Sequence, residues 1–281
     1  MHPKAIIIGA GIGGLATAVR LRVKGYEVEL YEANPYPGGK LSQFEVEGFR
    51  FDAGPSLFTL PKEVDALFEL AGIDPRTYFN YEQLEVITNY FYPDGTRIHA
   101  YSDPDAFAKE VSTKTGEEAE RVKELLVKSE ELYDITHKVF LEKSLHKVDT
   151  YLNMDTIRSI MKLHKLDAFR SMHKANESRF EDPRVVQLFN RYATYNGSDP
   201  YQAPATLNII PHLEFNMGAY FPKGGMYHIT QSVYKLGKDL GVRYHFGKKV
   251  DQIWVEGNRV RGIESEGERL PAEVVVSNAD I

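Results

Sequence analysis

The chain has 281 residues, 42% of them hydrophobic, which is enough for a sizeable core and too many for disorder. A formal net charge of −6 argues against a nucleic-acid footprint over the whole chain. The lack of cysteine excludes disulfides, thiolate metal sites and a cysteine nucleophile, and leaves a cytoplasmic setting unopposed.

The first predicted element is "KAIII", Lys4 to Ile8, a β-branched run suited to a strand buried on both faces. It meets Gly9, Gly11 and Gly14 at G-x-G-x-x-G spacing, with Gly13 added. The first glycine permits a tight turn, the second lets backbone approach a pyrophosphate, and the third allows close helix-to-strand packing. Leu15 to Lys24 has helical composition, and Gly25 offers a stop. "EVELYE", Glu27 to Glu32, reads as the next strand. It ends in an acid where a ribose hydroxyl needs an acceptor. The apolar opening could also mimic an export signal or form a glycine turn without a ligand. Four glycines in the apolar run and an acid-ended strand right behind it favour a βαβ unit.

Pro35, Pro37, Gly38 and Gly39 then predict a rigid turn, followed by Lys40 and a strand pair around Gly48. "LEVITNYFYPDGTRIHAYS" reads as a hairpin with "PDGT" at its turn. Asp103–Pro104 and Asp182–Pro183 are both cap-then-proline helix starts. From about Gly116 to Tyr195 the pattern is helical, with Gly197 as a stop. Met226 to Leu240 is amphipathic and stops at Gly241. "VRYHF", "KKVDQIWVE" and "EVVVSNADI" read as strands, the last of them buried and parallel.

The spacing from Glu32 to Gly38–Gly39–Lys40, followed by "DAGPS", resembles the FAD-binding amine-oxidase superfamily. "FDAGPSLFTLP", "FLEKSLHK", "LFNRYATYNGSDPYQAPATLNIIPHLE" and "YFPKGGMYHITQSV" look like bacterial-type phytoene and carotenoid desaturases. The resemblance spans the chain, and "RYATYNGSDPYQAP" and "FPKGGM" are its more specific parts.

The resemblance implies an α/β fold: a Rossmann-like, GR2-type FAD-binding domain with an inserted, mainly helical substrate or membrane domain. The expected boundaries are 1–85, 86–220 and 221–281, with the C-terminal part of the family expected to be absent from this chain. FAD is the implied cofactor. Gly9, Gly11, Gly13, Gly14 and Glu32 would hold its adenosine diphosphate part. Gly39, Lys40 and Leu41 would lie along the pyrophosphate and ribityl chain, and Gly54, Pro55 and Ser56 would approach the flavin. Val250 would contact the adenine side, although a core-strand role is equally compatible. Asn278 would return to the dinucleotide. The implied activity is phytoene-type desaturation, introducing C=C bonds into a long polyene by hydride transfer to flavin. An amine or porphyrinogen oxidase and a non-catalytic lipid or prenyl binder are the alternatives.

No catalytic base is readable. Asp199 and Glu214 are candidates, each with a structural reading beside it. Tyr192, Tyr195, Tyr201, Phe215, Tyr220 and Phe221 suit an apolar groove and suit a core equally well. Residues 143 to 174 are basic and include His146, His164 and His173; no spacing there is diagnostic of a metal. Ile157, Ile160, Met161, Ala168 and Met172 can share one helical face, as a membrane-surface helix requires or as a core-packed one does. The expected partners are a carotenoid or isoprenoid substrate and a membrane surface touched from the cytoplasm, with no nucleic acid. The electron acceptor, oxygen or a quinone, is not readable.

Overall fold

The computed structural model describes residues 2–140 and 166–279. Most of the basic stretch, from Lys143 to Lys165 with His146 and His164, and most of "FLEKSLHK" lie outside the described residues. In chain order the elements begin β1 (Lys4–Ile8), α1 (Ile12–Val23), β2 (Glu27–Glu32), β3 (Ser42–Val46), β4 (Phe49–Ala53), β5 (Phe58–Thr59), α2 (Pro61–Leu70) and β6 (Tyr81–Gln83). There follow β7 (Val86–Phe91), β8 (Arg97–Tyr101), α3 (Pro104–Thr115), α4 (Ala119–Phe140), α5 (Met172–Glu177), α6 (Pro183–Asn190) and α7 (Ile210–Phe215). The last are β9 (Ala219–Pro222), α8 (Tyr227–Asp239), β10 (Arg243–Phe246), β11 (Val250–Glu256), β12 (Arg259–Ser265), β13 (Glu268–Pro271) and β14 (Val274–Ser277). The chain divides into two compact units: residues up to Glu82 with those from Tyr220, and Gln83–Ala219.

The first unit is built on a parallel sheet in the order β10-β2-β1-β14. Alternation sends Ala5, Ile7, Val28 and Leu30 to one face, where they pack with Leu15, Ala18 and Val19 of α1 and Ile229, Val233 and Leu236 of α8. Ile6 and Tyr31 go to the other face and meet Ile263 and Ala272. Those two come from the antiparallel sheet β11-β12-β13 and the residue after it. Burial on both faces explains the uninterrupted "AIII" run; each fully buried isoleucine contributes roughly 1.5–3 kcal/mol. β3 and β4 form the expected hairpin. Strands β5, β9 and β6 form a small sheet.

Two expected boundaries move. The first helix starts at Ile12 rather than Leu15, because Gly11 is its extended N-cap and Gly13 and Gly14 lie within it. The last strand covers Val274–Ser277 and is only partly buried.

The second unit holds the β7–β8 hairpin and the helices α3 to α7. Asp103 caps α3 by accepting the Ala106 N–H at 2.7 Å, and Asp182 caps α6 by accepting the Arg184 N–H at 2.8 Å. A cap of this kind is worth about 1 kcal/mol. One expectation fails here. Ala168 and Met172 do not continue a common helical face. Asp167 takes a left-handed φ of 51°, its carboxylate accepts from Arg170, and Ser171 starts a new helix, α5. Ala168 is exposed in the resulting turn, while Met172 is buried in the core. No helix among the described residues is long and apolar enough to cross a membrane.

Candidate functional site

At the carboxyl ends of β1 and β2 the first unit opens a cleft of about 690 Å³. Its floor is the turn joining β1 to α1. Gly9 turns the chain with a φ of 96°, and its N–H donates to Tyr31 O at 2.8 Å. Gly14 sits so close to this turn that a Cβ there would strike the Gly9 carbonyl oxygen. That contact enforces the close helix-to-strand approach expected of the third glycine.

The Leu15 N–H closes the first turn of α1 onto Gly11 O at 3.0 Å. The amides of Ile12, Gly13 and Gly14 therefore precede the helical ladder. No side chain caps this end and no acid occupies its first turn. Three amide donors and the positive end of a 12-residue helix suit a bound anion. Asn278 lies over them, 2.6 Å from where a Gly13 Cβ would stand, and its own N–H donates to Ile8 O at 2.8 Å.

Glu32 ends β2 in the same cleft and is buried. One carboxylate oxygen accepts the Ala10 N–H at 2.7 Å, and the other accepts the backbone and side-chain N–H groups of Asn34 at 2.8 and 2.9 Å. A carboxylate offers about four lone-pair positions, so capacity remains for a hydroxyl donor from the cleft. The same acid both fixes the glycine turn and faces the ligand space.

The second glycine cluster forms the opposite wall. The Gly38 N–H donates to Ala10 O at 2.8 Å, and Gly11 and Gly38 form a parallel bridge. "PGGK" is thus docked on the first turn. Gly9, Gly11, Gly13, Glu32, Gly39, Lys40, Leu41, Pro55, Val250 and Asn278 all line the cleft. Gly14, Gly54 and Ser56 are not among the lining residues. Gly14 packs the helix, and a Cβ on Gly54 would strike Lys40 O.

Sequence reasoning missed Tyr31, Lys248 and Lys249 as lining residues. Tyr31 stacks on His245 with ring centroids 4.4 Å apart. Burial and the adjacent Glu29 carboxylate push its phenol far up, so it stays neutral. Lys248 donates its backbone N–H to Glu32 O at 2.9 Å, and its ammonium pairs with Glu266. The signal was the basic pair directly before Val250.

The two candidate bases sit in the second unit and are both engaged. Glu214 is fully buried and accepts from Arg191 at 3.0 Å, from the Tyr192 hydroxyl at 2.9 Å and from the Tyr195 hydroxyl. Asp199 accepts the Tyr201 N–H at 2.9 Å and the Gln202 amide at 3.1 Å, a turn-forming arrangement. Tyr192 and Phe215 are core residues, whereas Tyr195 and Tyr201 are exposed. Tyr220 and Phe221 pack against the core of the first unit.

A profile of the flavin-containing amine oxidoreductases matches residues 12–281. The chain belongs to this family. FAD is accordingly the cofactor, and the cleft fits it: free amides for a pyrophosphate, a carboxylate for a ribose, and a glycine wall that lets the backbone approach. Among curated relatives, a 1-hydroxycarotenoid 3,4-desaturase from Flavobacterium sp. is 43% identical over 99% of this chain and 57% of its own length. A 4,4'-diapolycopene oxygenase from Methylomonas sp. is 33% identical over 100% and 56%. The chain thus spans a little over half the length of the curated relatives it matches. Solved structures share the fold at low identity. An oxidoreductase from Methanosarcina mazei has a TM-score of 0.61 at 19% identity, covering 98% of this chain and 58% of that one. Putrescine oxidase bound to putrescine has a TM-score of 0.60 at 18% identity, covering 98% and 57%.

Proposed function

We propose that this chain serves an FAD-dependent oxidoreductase that desaturates a carotenoid, with phytoene-type desaturation as the specific reaction. The observation that carries the reading is the cleft that joins both glycine turns to Glu32, in a chain 43% identical to a carotenoid 3,4-desaturase. Bound there, FAD supplies a two-electron acceptor for a C–H bond of an apolar substrate. The chain's own contribution is binding and orientation. The α1 amides would take the pyrophosphate, Glu32 the ribose, Tyr31 with Val250 the adenine side, and Gly39 to Leu41 the segment leading to the flavin. The 3,4-desaturase and the oxygenases both carry names of carotenoid C–H oxidation, which supports the substrate class more strongly than the bond position. The test is expression of the encoding gene beside a phytoene-producing pathway, with pigment identification. Products with added C=C bonds support the reading; oxygenated pigments alone would replace desaturation by oxygenation.

The reading extends to a membrane surface on the cytoplasmic side, because a long polyene resides in the bilayer and residues 143–174 are basic. Arg170 is held by Asp167 and Ser178, so the test uses charge reversal of Lys162 and Lys165 only. Sedimentation with anionic liposomes should fall; equal sedimentation of variant and parent sinks the membrane contact.

A further inference from the structure

Behind the second glycine turn, away from the ligand space, lies α8. Tyr227 and Thr230 are three residues apart on it and therefore share a face. The Tyr227 hydroxyl donates to Pro37 O at 3.0 Å, and the Thr230 hydroxyl donates to Leu41 O at 3.1 Å. These two carbonyls stand at the two ends of the Gly38–Lys40 segment. Both side chains are buried. Gly38 presses between them: a Cβ there would meet Tyr227 Cε2 at 3.0 Å and Thr230 Cγ2 at 3.2 Å.

The start of α8 is itself fixed. Asp52 of β4 accepts the Met226 N–H at 2.9 Å and the Tyr227 N–H at 3.1 Å. Its position is set by Arg50, which donates to it at 3.0 Å. A carboxylate at a helix N-terminus is favoured by the dipole and satisfies amides that lack helical partners. The connection closes on itself. Leu41 leads into β3, the hairpin returns along β4 to Asp52, Asp52 holds α8, and α8 holds Pro37 and Leu41.

We propose that Tyr227 and Thr230, with Asp52 anchoring their helix, are positioning residues for the cofactor: they hold the Gly39–Lys40–Leu41 wall at the distance that FAD requires. The inference rests on the cleft being the FAD site. On its front the turn meets the first glycine loop through backbone, at Gly38 N–H to Ala10 O and in the Gly11–Gly38 bridge. The two hydroxyls behind it set where that backbone stands. Loss of one hydroxyl leaves the part-buried Pro37 carbonyl or the buried Leu41 carbonyl without its donor and lets the turn relax.

The test is titration of FAD against the full chain, followed by flavin fluorescence and visible circular dichroism. The set is the parent, Tyr227→Phe, Thr230→Val, Thr230→Ser and the Tyr227→Phe/Thr230→Val double variant. Thr230→Val and Tyr227→Phe should each weaken FAD binding by about tenfold, and the double variant by about a hundredfold. Thr230→Ser keeps the hydroxyl and should stay within about twofold of the parent. The flavin dichroism band should change in the variants that lose a hydroxyl. A purely structural role lowers the melting temperature of the FAD-free variants and leaves affinity and dichroism untouched; that result overturns the proposal. Should Thr230→Val fail to fold, Tyr227→Phe against the parent decides it. A parent chain that binds no FAD at all defeats the cleft assignment itself, a separate outcome.

Discussion

Glu32 in the first unit and Glu214 in the second are both buried carboxylates at less than one-tenth exposure, yet they do opposite things. Glu32 takes three N–H donors, one from Ala10 in the first glycine turn and two from Asn34 in its own loop, and still borders a cleft. Glu214 is enclosed by one guanidinium and two phenols, and its residue has no exposed surface. Burial by itself therefore does not mark a site. What marks it is donor or acceptor capacity that the fold leaves open toward a space a ligand can enter. The same contrast holds for amides: those of α1 open on the cleft, while the N-termini of α3 and α6 are closed by aspartates.

The largest effect expected from this contrast is on stability. Glu214→Ala strands the Arg191 guanidinium and leaves the buried Tyr192 hydroxyl without its acceptor. The cost should be about 3 kcal/mol, read as a lower urea midpoint at constant slope. FAD affinity should stay within about twofold, because Glu214 serves the core of the second unit. A large loss of affinity at unchanged stability would move Glu214 into the site.

A third carboxylate, Glu29, lies three residues before Glu32 on β2 and sharpens the distinction by pH. Burial pushes its pKa up, but hydrogen bonds from Arg243, Lys4 and Tyr31 outweigh this and hold it at about 2. A carboxylate depressed in the folded state contributes stability that is complete above its unfolded value. That contribution is lost as pH falls from about 4.5 toward 2. It amounts to at most about 3 kcal/mol. Glu29→Gln should flatten the fall in stability across that window in acid titrations followed by circular dichroism. An unchanged acid profile would mean that the cations around Glu29 do not hold it.

Local chemistry was legible in the sequence; long-range register was not. β1 and β2 were readable to the residue because a β-branched run meets glycine and an alternating run ends in an acid. Asp103 and Asp182 announced α3 and α6 because capping needs only a side-chain oxygen and the next few amides. Nothing local says that His245 stacks on Tyr31. That pairing exists because β10 lies parallel to β2 with His245 opposite Tyr31. Tyr227 and Thr230 were likewise visible as part of an amphipathic helix, but their partners, Pro37 and Leu41, are about 190 residues away. The shared face assigned to Ala168 and Met172 failed because helical spacing cannot register the turn that runs from Asp167 to the Ser171 cap of the next helix.

The smallest expected effect is the most discriminating. Glu32→Gln keeps the size of the side chain and one carbonyl oxygen, so the glycine turn retains one of its acceptors. FAD binding should weaken by about tenfold. Part of that loss belongs to the turn, because the Ala10 or Asn34 N–H then faces an amide instead of a carboxylate. A second ligand separates the two contributions. FAD lacking the adenosine ribose hydroxyls should bind the parent more weakly than FAD does. It should lose little further affinity in Glu32→Gln, because the missing hydroxyl and the missing charge belong to one interaction. If the penalties of the altered ligand and the altered residue simply add, Glu32 acts through the turn alone and resembles Glu214 more than its place in the cleft suggests.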